Sequence, residues 1–570
     1  MSKSSRRATG EAGPPLTPFF RPVQMEKLAP CQENCPISID IRRWIGIVAQ
    51  RDKLGLSLAQ AYEGAWQVIV DRNPMPATLG RVCPHPCETQ CNRSAMDEAL
   101  SINAMERFLG DWAISQRLPL PRLEEDPKPE SIGVIGSGPS GLSFAYQMAR
   151  RGYAVTVYEQ RAHPGGMLRH GIPNYRLPPD ILDAEISRIE RLGVEIRLGT
   201  AVGRDVALSE LRERHAALYV GIGAQSSRKL GIGGEAETAV WSGAEYLLRI
   251  NSGEQVDVGS TVVVIGGGNT AVDAARTALR AGAQVTIAYR RSRAEMPALA
   301  AEVEEAVSEG VELQLLTAPV WIERRDDRLL LTVVRMELGA EDESGRRRPV
   351  PKPGSESQLS VDTVIAAVAQ EPEWSGLEEL QRDGHLASDP TGAVTDGVWG
   401  GGDATEPGIC GAAIGQGRRA AQILHSRLRG LPDPAPETRA PMDLAGLRLD
   451  AYAPVARAER ARQSAAIALT SPDAEVDLGI DEEQFLTETA RCLSCGFCFG
   501  CEQCSMFCTL QSFSRLEDPT PGAYFSLSLD FCVECGKCIE VCPCGFLEVT
   551  VPRLPGVDVK RPQTGADSAP

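Results

Sequence analysis

The segment 490-ARCLSCGFCFGCEQCSMFC-508 carries six cysteines, Cys492, Cys495, Cys498, Cys501, Cys504 and Cys508, at gaps of two, two, two, two and three residues. Thiols so clustered, in a chain of 17 cysteines, point to metal ligation rather than to disulfides. A second run, 532-CVECGKCIEVCP-543, fits C-x2-C-x2-C-x3-C-P in full, the spacing of iron–sulfur ligands. The three-residue gap between Cys504 and Cys508 sets the phase of the first run, so its motif is Cys498, Cys501, Cys504 and Cys508. In paired runs the fourth cysteine of each ligates the other cluster. Cys498, Cys501, Cys504 and Cys542 are therefore expected to hold one [4Fe–4S] cluster, and Cys532, Cys535, Cys538 and Cys508 another. Zinc also takes four cysteines, but two interleaved runs with the three-residue gap disfavour it. Thr509 stands where the motif expects proline, a departure that leaves ligation intact. Cys492 and Cys495 are left over. Five more cysteines lie near the other end, Cys31, Cys35, Cys83, Cys87 and Cys91, while Cys410 and Cys544 read as structural.

Two glycine fingerprints supply a different chemistry. In 131-SIGVIGSGPSGLSFAYQMARRGYAVTVYEQ-160 an apolar strand runs into Gly136-x-Gly138-x-x-Gly141, with Pro139 and Ser140 opening a helix. Such glycines let the backbone turn tightly and approach a pyrophosphate at the helix N-terminus. Glu159 closes the next strand, where a carboxylate accepts from ribose hydroxyls. The second copy, 260-STVVVIGGGNTAVDAARTALRAGAQVTIAYRRSRAEMP-297, has Gly266-x-Gly268-x-x-Ala271, with Asn269 and Thr270 inside the fingerprint. Its second strand ends in Arg290 and Arg291 instead of an acid, which suits the 2′-phosphate of NADP over a plain solvated turn. Two dinucleotide sites imply a flavin in one and a nicotinamide in the other. Downstream, in 396-DGVWGGGDATEPGICGAAIGQGRRAA-421, Asp403 suits flavin ribityl hydroxyls, Ala412 follows it, and Gly415–Gly417 are expected to begin a helix under the ring.

These residues need elements to position them. With 570 residues the chain exceeds a single core. Residues 1–24 read as a flexible tail and 25–127 as a helical domain. Strand–helix alternation then places a flavin domain at 128–259 and 370–430, interrupted by a nicotinamide domain at 260–369. A Pro- and Ala-rich linker at 431–490 leads to the cysteine-dense domain at 491–555 and a tail at 556–570. The expected class is α/β, two nested Rossmann-like nucleotide-binding domains, with an all-α N-terminal iron–sulfur domain and a small α+β ferredoxin-like C-terminal domain. A net charge of −17 argues against nucleic acid. No run approaches the roughly 18 apolar residues of a membrane span, and no apolar leader is evident, so a cytoplasmic protein is expected. No side chain is assigned to catalysis, since the cofactors would carry it.

Long motifs carry a resemblance: CQENCP (31–36), RVCPHPCETQC (81–91), GSGPSGL (136–142), PGGMLRHGIPNYRLP (164–178), GGGNTAVD (266–273), YRRSRAEMP (289–297) and GGDA (401–404). Residues 25–430 resemble the small (β) subunit of glutamate synthase and the matching half of dihydropyrimidine dehydrogenase. The resemblance implies FAD in the outer domain, with Gly166 and Met167 beside it, NAD(P)H in the inserted one, and electron exit through N-terminal [4Fe–4S] clusters. By the family pattern Cys31, Cys35, Cys87 and Cys91 make one cluster, three in all. The family's upstream C-x2-C pair is missing here. That leaves two readings for Cys492 and Cys495: spare thiols, which is favoured, or ligands of a fourth cluster with Cys83 and Glu106.

The added C-terminal module makes the whole similar to the DsrL-type iron–sulfur flavoprotein associated with dissimilatory sulfite reductase. This implies an NAD(P)H:acceptor oxidoreductase of sulfur metabolism, exchanging electrons with a sirohaem sulfite reductase or a ferredoxin; a homodimer is compatible with it. The alternatives are a glutamate synthase-type small subunit or an NAD(P)H:ferredoxin oxidoreductase. The chain contains no glutaminase or FMN-barrel segment with which to make glutamate alone. A non-enzymatic iron–sulfur interaction module is disfavoured by the intact nucleotide motifs.

Overall fold

Near-continuous apolar runs such as Ile132–Ile135 and Val262–Ile265 are what strands covered on both faces require, and both lie buried in parallel sheets. In the computed structural model, which describes residues 21–342 and 345–550, the first sheet has six strands. Their order is Ala393–Thr395, Val398–Gly400, Ala217–Val220, Ser131–Ile135, Ala154–Tyr158 and Glu195–Arg197. The second has five, in the order Glu312–Leu315, Gln284–Tyr289, Thr261–Ile265, Thr363–Ala366 and Val240–Ser242. The chain thus leaves the first sheet after residue 220 and returns to it at 393. The two passages cross as a short antiparallel pair, Ser226–Ser227 with Gln370–Glu371. The second sheet recruits Val240–Ser242, ahead of the expected boundary at 259/260. A three-residue edge strand is too short to stand out as a pattern.

The helices Ile41–Ala49, Leu58–Val70, Pro76–Val82 and Ile102–Ser115 form a layer against the first sheet. The layer has no core of its own: Trp44 and Trp66 share one continuous core with Phe144 and Tyr146 of the helix Pro139–Ala149. Tyr146 Oη donates to the Val70 carbonyl at 2.7 Å. The carboxylate of Glu185 accepts from the amides of Ala77 and Thr78 at 2.8 and 2.9 Å, capping the helix that leads to Cys83.

Two expectations fail here. Residues 21–24, read as tail, form a strand antiparallel to Leu547–Thr550; the tails 1–20 and 556–570, and the module's end at 551–555, lie outside the described residues. Residues 431–490 are not a plain linker either. They run back over the helical layer and are fastened by charge rather than by apolar periodicity, which is why composition alone read them as loose. Glu475 pairs with both Arg81 (2.7 Å) and Arg107 (2.9 Å), Arg457 pairs with Glu88 at 2.5 Å, and Phe485 stacks on Phe108 at 4.4 Å. Buried Arg and carboxylate groups in such numbers keep charge satisfied away from water.

Candidate cofactor sites

The first fingerprint lies at the mouth of a cavity lined by Gly136, Ser137, Gly138, Pro139 and Ser140. Glu159, Gly166, Met167 and Asp403 line it too. Gly136 has φ +95°, which L side chains rarely adopt. Gly141 does not line the cavity: a Cβ there would stand 2.1 Å from the Gly136 carbonyl oxygen, so its absence permits the helix–strand contact. Glu159 is buried and accepts from the Ser137 amide (3.0 Å), the Ser137 hydroxyl (2.6 Å) and the Arg161 amide (2.9 Å). It therefore braces the phosphate turn while retaining lone pairs for a ribose. Burial raises the Asp403 carboxyl from its ordinary value. The helix expected to begin at Gly415–Gly417 begins at Cys410 and runs to Leu428. Its N-cap residue Ile409, with Cys410 and Ala413, lines the cavity and Ala412 does not; 3.6 residues per turn puts 409 and 413 on one face. Gly417 abuts the first fingerprint helix, a Cβ there falling 2.2 Å from the Ser140 carbonyl oxygen.

The second fingerprint opens a larger cavity of about 580 Å³ lined by Gly266, Gly268, Thr270, Tyr289, Arg290 and Arg291. Ala271 is buried against Gly266 and does not line it. Asn269 lies on the flavin cavity instead, its Oδ1 accepting from the Leu299 amide at 3.1 Å, while Thr270 borders both cavities. The two arginines part company. Arg290 is exposed. Arg291 also lines the cavity but is buried, donating to the Arg347 carbonyl at 2.8 Å and to Asp342 at 2.5 Å, so Arg290 is the more open of the two to a phosphate. Arg228, Lys229 and Arg346 also line this cavity; no fingerprint announces them, since the first two arrive from the crossover and Arg346 immediately precedes the strand Arg347–Pro351, which pairs antiparallel with Arg328–Glu341.

The cysteines sort into four sets. Cys498, Cys501, Cys504 and Cys542 surround one void in the C-terminal module. Cys538 lies in the fields of Cys532, Cys535 and Cys508. Near the N-terminus the structure departs from the family-pattern grouping. Cys31 meets Cys91, Cys492 and Cys495 about a single void, while Cys35 meets Cys83, Cys87 and Glu106. Helix ends explain the split. Cys31 sits in the helix Pro30–Glu33 and Cys87 in Pro86–Thr89; Cys35 and Cys91 lie beyond those helices and turn elsewhere. Burial pushes the thiols of Cys83 and Cys492 up to about 12 and that of Cys495 to about 11. Burial likewise lifts the Glu106 carboxyl to about 7, although Asn73 donates to it at 2.8 Å. A hydrogen bond with Cys544 draws the Cys542 thiol down from its ordinary value, and Cys544 lines the first void, a place that spacing did not suggest. Among the described residues no three His, Cys, Asp or Glu side chains converge as ligands of a single metal ion would. The sets frame spaces for something larger than one ion.

Two dinucleotide cavities meeting at Thr270, beside sulfur-lined voids, define a nucleotide-dependent flavoprotein oxidoreductase with iron–sulfur modules. Residues 130–417 match the pyridine nucleotide-disulphide oxidoreductase family, and the chain belongs to it. Residues 23–118 match dihydropyrimidine dehydrogenase domain II, 4Fe-4S cluster. The chain is similar to the NADP(+)-dependent formate dehydrogenase subunit beta of Moorella thermoacetica, 36% identical over 86% of this chain and 73% of that one. It is 38% identical to the NADPH-Fe(3+) oxidoreductase subunit beta of Geobacter sulfurreducens over 62% of this chain, and spans about half of that protein, 52%. It is 33% identical to the glutamate synthase [NADPH] small chain of Azospirillum brasilense over 70% of this chain and 86% of that one. The chain is an FAD-dependent NAD(P)H oxidoreductase carrying iron–sulfur clusters. These relatives support the glutamate synthase-type alternative better than the sulfite reductase reading. No helix among the described residues is long and apolar enough to cross a membrane.

Proposed function

We propose that this chain carries electrons from NADPH through FAD and a file of four [4Fe–4S] clusters to a redox partner protein. The observation that supports this reading is that neighbouring sites, from the nucleotide cavity to the first sulfur set of the C-terminal module, share bordering residues. Thr270 borders both nucleotide cavities. Val82 and Pro84, on either side of Cys83, line the flavin cavity. Cys87 lies in the fields of both Cys35 and Cys31, linking the two N-terminal sets. Tyr452 lies in the fields of Cys492, Cys495, Cys501 and Cys544, and its Oη donates to the Leu493 carbonyl at 2.9 Å. When bound, the cofactors supply hydride uptake and one-electron passage.

The chain's own residues hold and insulate that route. Gly136, Ser137 and Gly138 present backbone to the flavin pyrophosphate; Glu159 and Asp403 take its hydroxyls. Arg290, with Arg228, Lys229 and Arg346 around the same cavity, favours NADPH, in keeping with relatives named for NADP. At the far end Phe531, Val533 and Met506 are 71%, 68% and 68% exposed beside Cys508 and Cys532. Apolar exposure of that kind marks a docking surface, and an electron partner belongs there. Sulfite reductase is the narrower candidate, supported by the DsrL-type resemblance of the cysteine-rich end.

Anaerobic titration of the holoprotein with NADPH and NADH tests the reading. NADPH should bleach the flavin and then the clusters, and the reduced protein should reduce added ferredoxin or sulfite reductase. A flavin that neither nucleotide bleaches refutes the function; bleaching with ferredoxin reduced but sulfite reductase untouched refutes only the narrower partner.

A further inference from the structure

Cys31, Cys91, Cys492 and Cys495 come from segments about four hundred residues apart and line one void, whose remaining walls include Ile45, Leu100 and Ile102. We infer that this void is a [4Fe–4S] site completed by the C-terminal pair Cys492 and Cys495, so that one cluster is shared between the helical layer and the ferredoxin-like module. The inference rests on the iron–sulfur reading above and adds a ligand set to it.

The segment is held in place independently of the sulfurs. Arg93 Nη1 donates to the Arg491 carbonyl at 2.9 Å on one side of the pair. Arg42 Nη1 donates to the Cys495 carbonyl at 2.5 Å, and the Lys27 amide to the Gly496 carbonyl at 3.1 Å, on the other. Arg491 is itself fixed by Glu488 at 2.8 Å and Asp97 at 3.0 Å. The four sulfurs are thus presented by a frame built from both ends of the chain. Around them the void is apolar, with donors directed at sulfur: Asn92 Nδ2 lies 3.6 Å from Cys495 Sγ, and the Ser494 amide 3.5 Å from Cys492 Sγ. Hydrogen bonds to sulfur are a recurring device for stabilising and tuning iron–sulfur clusters.

Charge argues the same way. Arg42 lines the void and is 1% exposed; its Nε, 3.6 Å from Asp40, makes no hydrogen bond. A buried cation needs an anionic neighbour, and a cubane held by four thiolates carries net negative charge. Glu26 at 2.8 Å and Asp40 at 3.6 Å already face Arg42 from one side, and the cluster would add anionic charge on the side of the void. Disulfide pairing is not seen, for all four cysteines are free.

The test is iron and acid-labile sulfide per chain after anaerobic reconstitution, with FAD content as the check on folding. Wild type should hold about sixteen irons, four clusters of four. The pair variants Cys492→Ala/Cys495→Ala and Cys31→Ala/Cys91→Ala should each fall to about twelve. Combining all four substitutions should remove no more than either pair alone, since both strip one cluster; the reduced protein's EPR should lose the same signal in each. Fewer than sixteen irons in the wild type, an unchanged count in the Cys492→Ala/Cys495→Ala variant, or additive loss in the combined variant overturns the inference. Flavin bleaching by NADPH, read separately, reports on the proposed function and not on this site.

Discussion

Replacing Arg290 and Arg291 one at a time should separate recognition from support. Arg290 is exposed on the nucleotide cavity. A charge-assisted bond contributes about 1.5–3 kcal/mol, and screening at an exposed position puts this one near the lower figure. At about 1.4 kcal/mol per tenfold, Arg290→Ala should weaken NADPH about tenfold and leave NADH nearly unchanged. Arg291 is buried and spends its donors on Asp342 and the Arg347 carbonyl. Its loss removes the tie between the end of the strand Gln284–Tyr289 and the antiparallel pair Arg328–Glu341 and Arg347–Pro351. Arg291→Ala should therefore cost about 1–3 kcal/mol of stability and weaken both nucleotides alike. The assay is dye reduction under anaerobic conditions with each nucleotide, alongside thermal unfolding. If Arg291→Ala shifts the NADPH/NADH ratio as much as Arg290→Ala does, or if Arg290→Ala leaves that ratio where it was, the division of roles is refuted.

Other consequences can be measured directly. Gly417→Ala forces a methyl to within 2.2 Å of the Ser140 carbonyl; overpacking of this kind costs about 1–3 kcal/mol, and purified protein should show a lower Tm and less bound FAD. Phe531→Glu with Val533→Glu should leave Tm and dye reduction unchanged while slowing reduction of a protein acceptor, since both side chains face solvent; equal rates with the acceptor would remove the docking surface. His170 is held down to about 4 by burial, with Arg161 adding to the effect. The unfolded chain, with histidine near 6.5, therefore binds the extra proton as pH falls from 6.5 toward 4. Stability should decline across that window by up to about 1.4 kcal/mol per pH unit. Denaturation midpoints at pH 7 and pH 5 should differ less in His170→Gln than in the wild type.

Much of this was legible where chemistry depends on local spacing. Gly136-x-Gly138-x-x-Gly141 and the cysteine runs at 498–508 and 532–542 are short-range patterns, and the structure brings their members together as the spacing suggests. Reading failed where a helix end intervened. Nothing in C-x3-C says that Cys31 and Cys35 part because the helix stops at Glu33. The ladder of Arg81, Arg107 and Glu475 likewise joins segments nearly four hundred residues apart, and no periodicity marks a strap held by ions. Arg228 and Lys229 reach the nucleotide cavity only because the crossover at Ser226–Ser227 passes beside it.

The pairing of Arg21–Gln24 with Leu547–Thr550 has a consequence for biosynthesis. Arg21 meets Glu534 across a separation of 513 residues, so the nascent helical layer has an open edge throughout translation. Between emergence of Cys91 and of Cys495 about four hundred residues must be made, which at roughly 5–20 residues per second takes about 20–80 s. During that interval the flavin fold can form while the void at Cys31 stands open, with half its sulfurs not yet synthesised. Maturation therefore has an order imposed by chain topology: nucleotide domains first, the shared sulfur site last. A chain stopped before residue 492 would contain every residue of the flavin cavity and lack both the outlet module and the two sulfurs that join it to the helical layer.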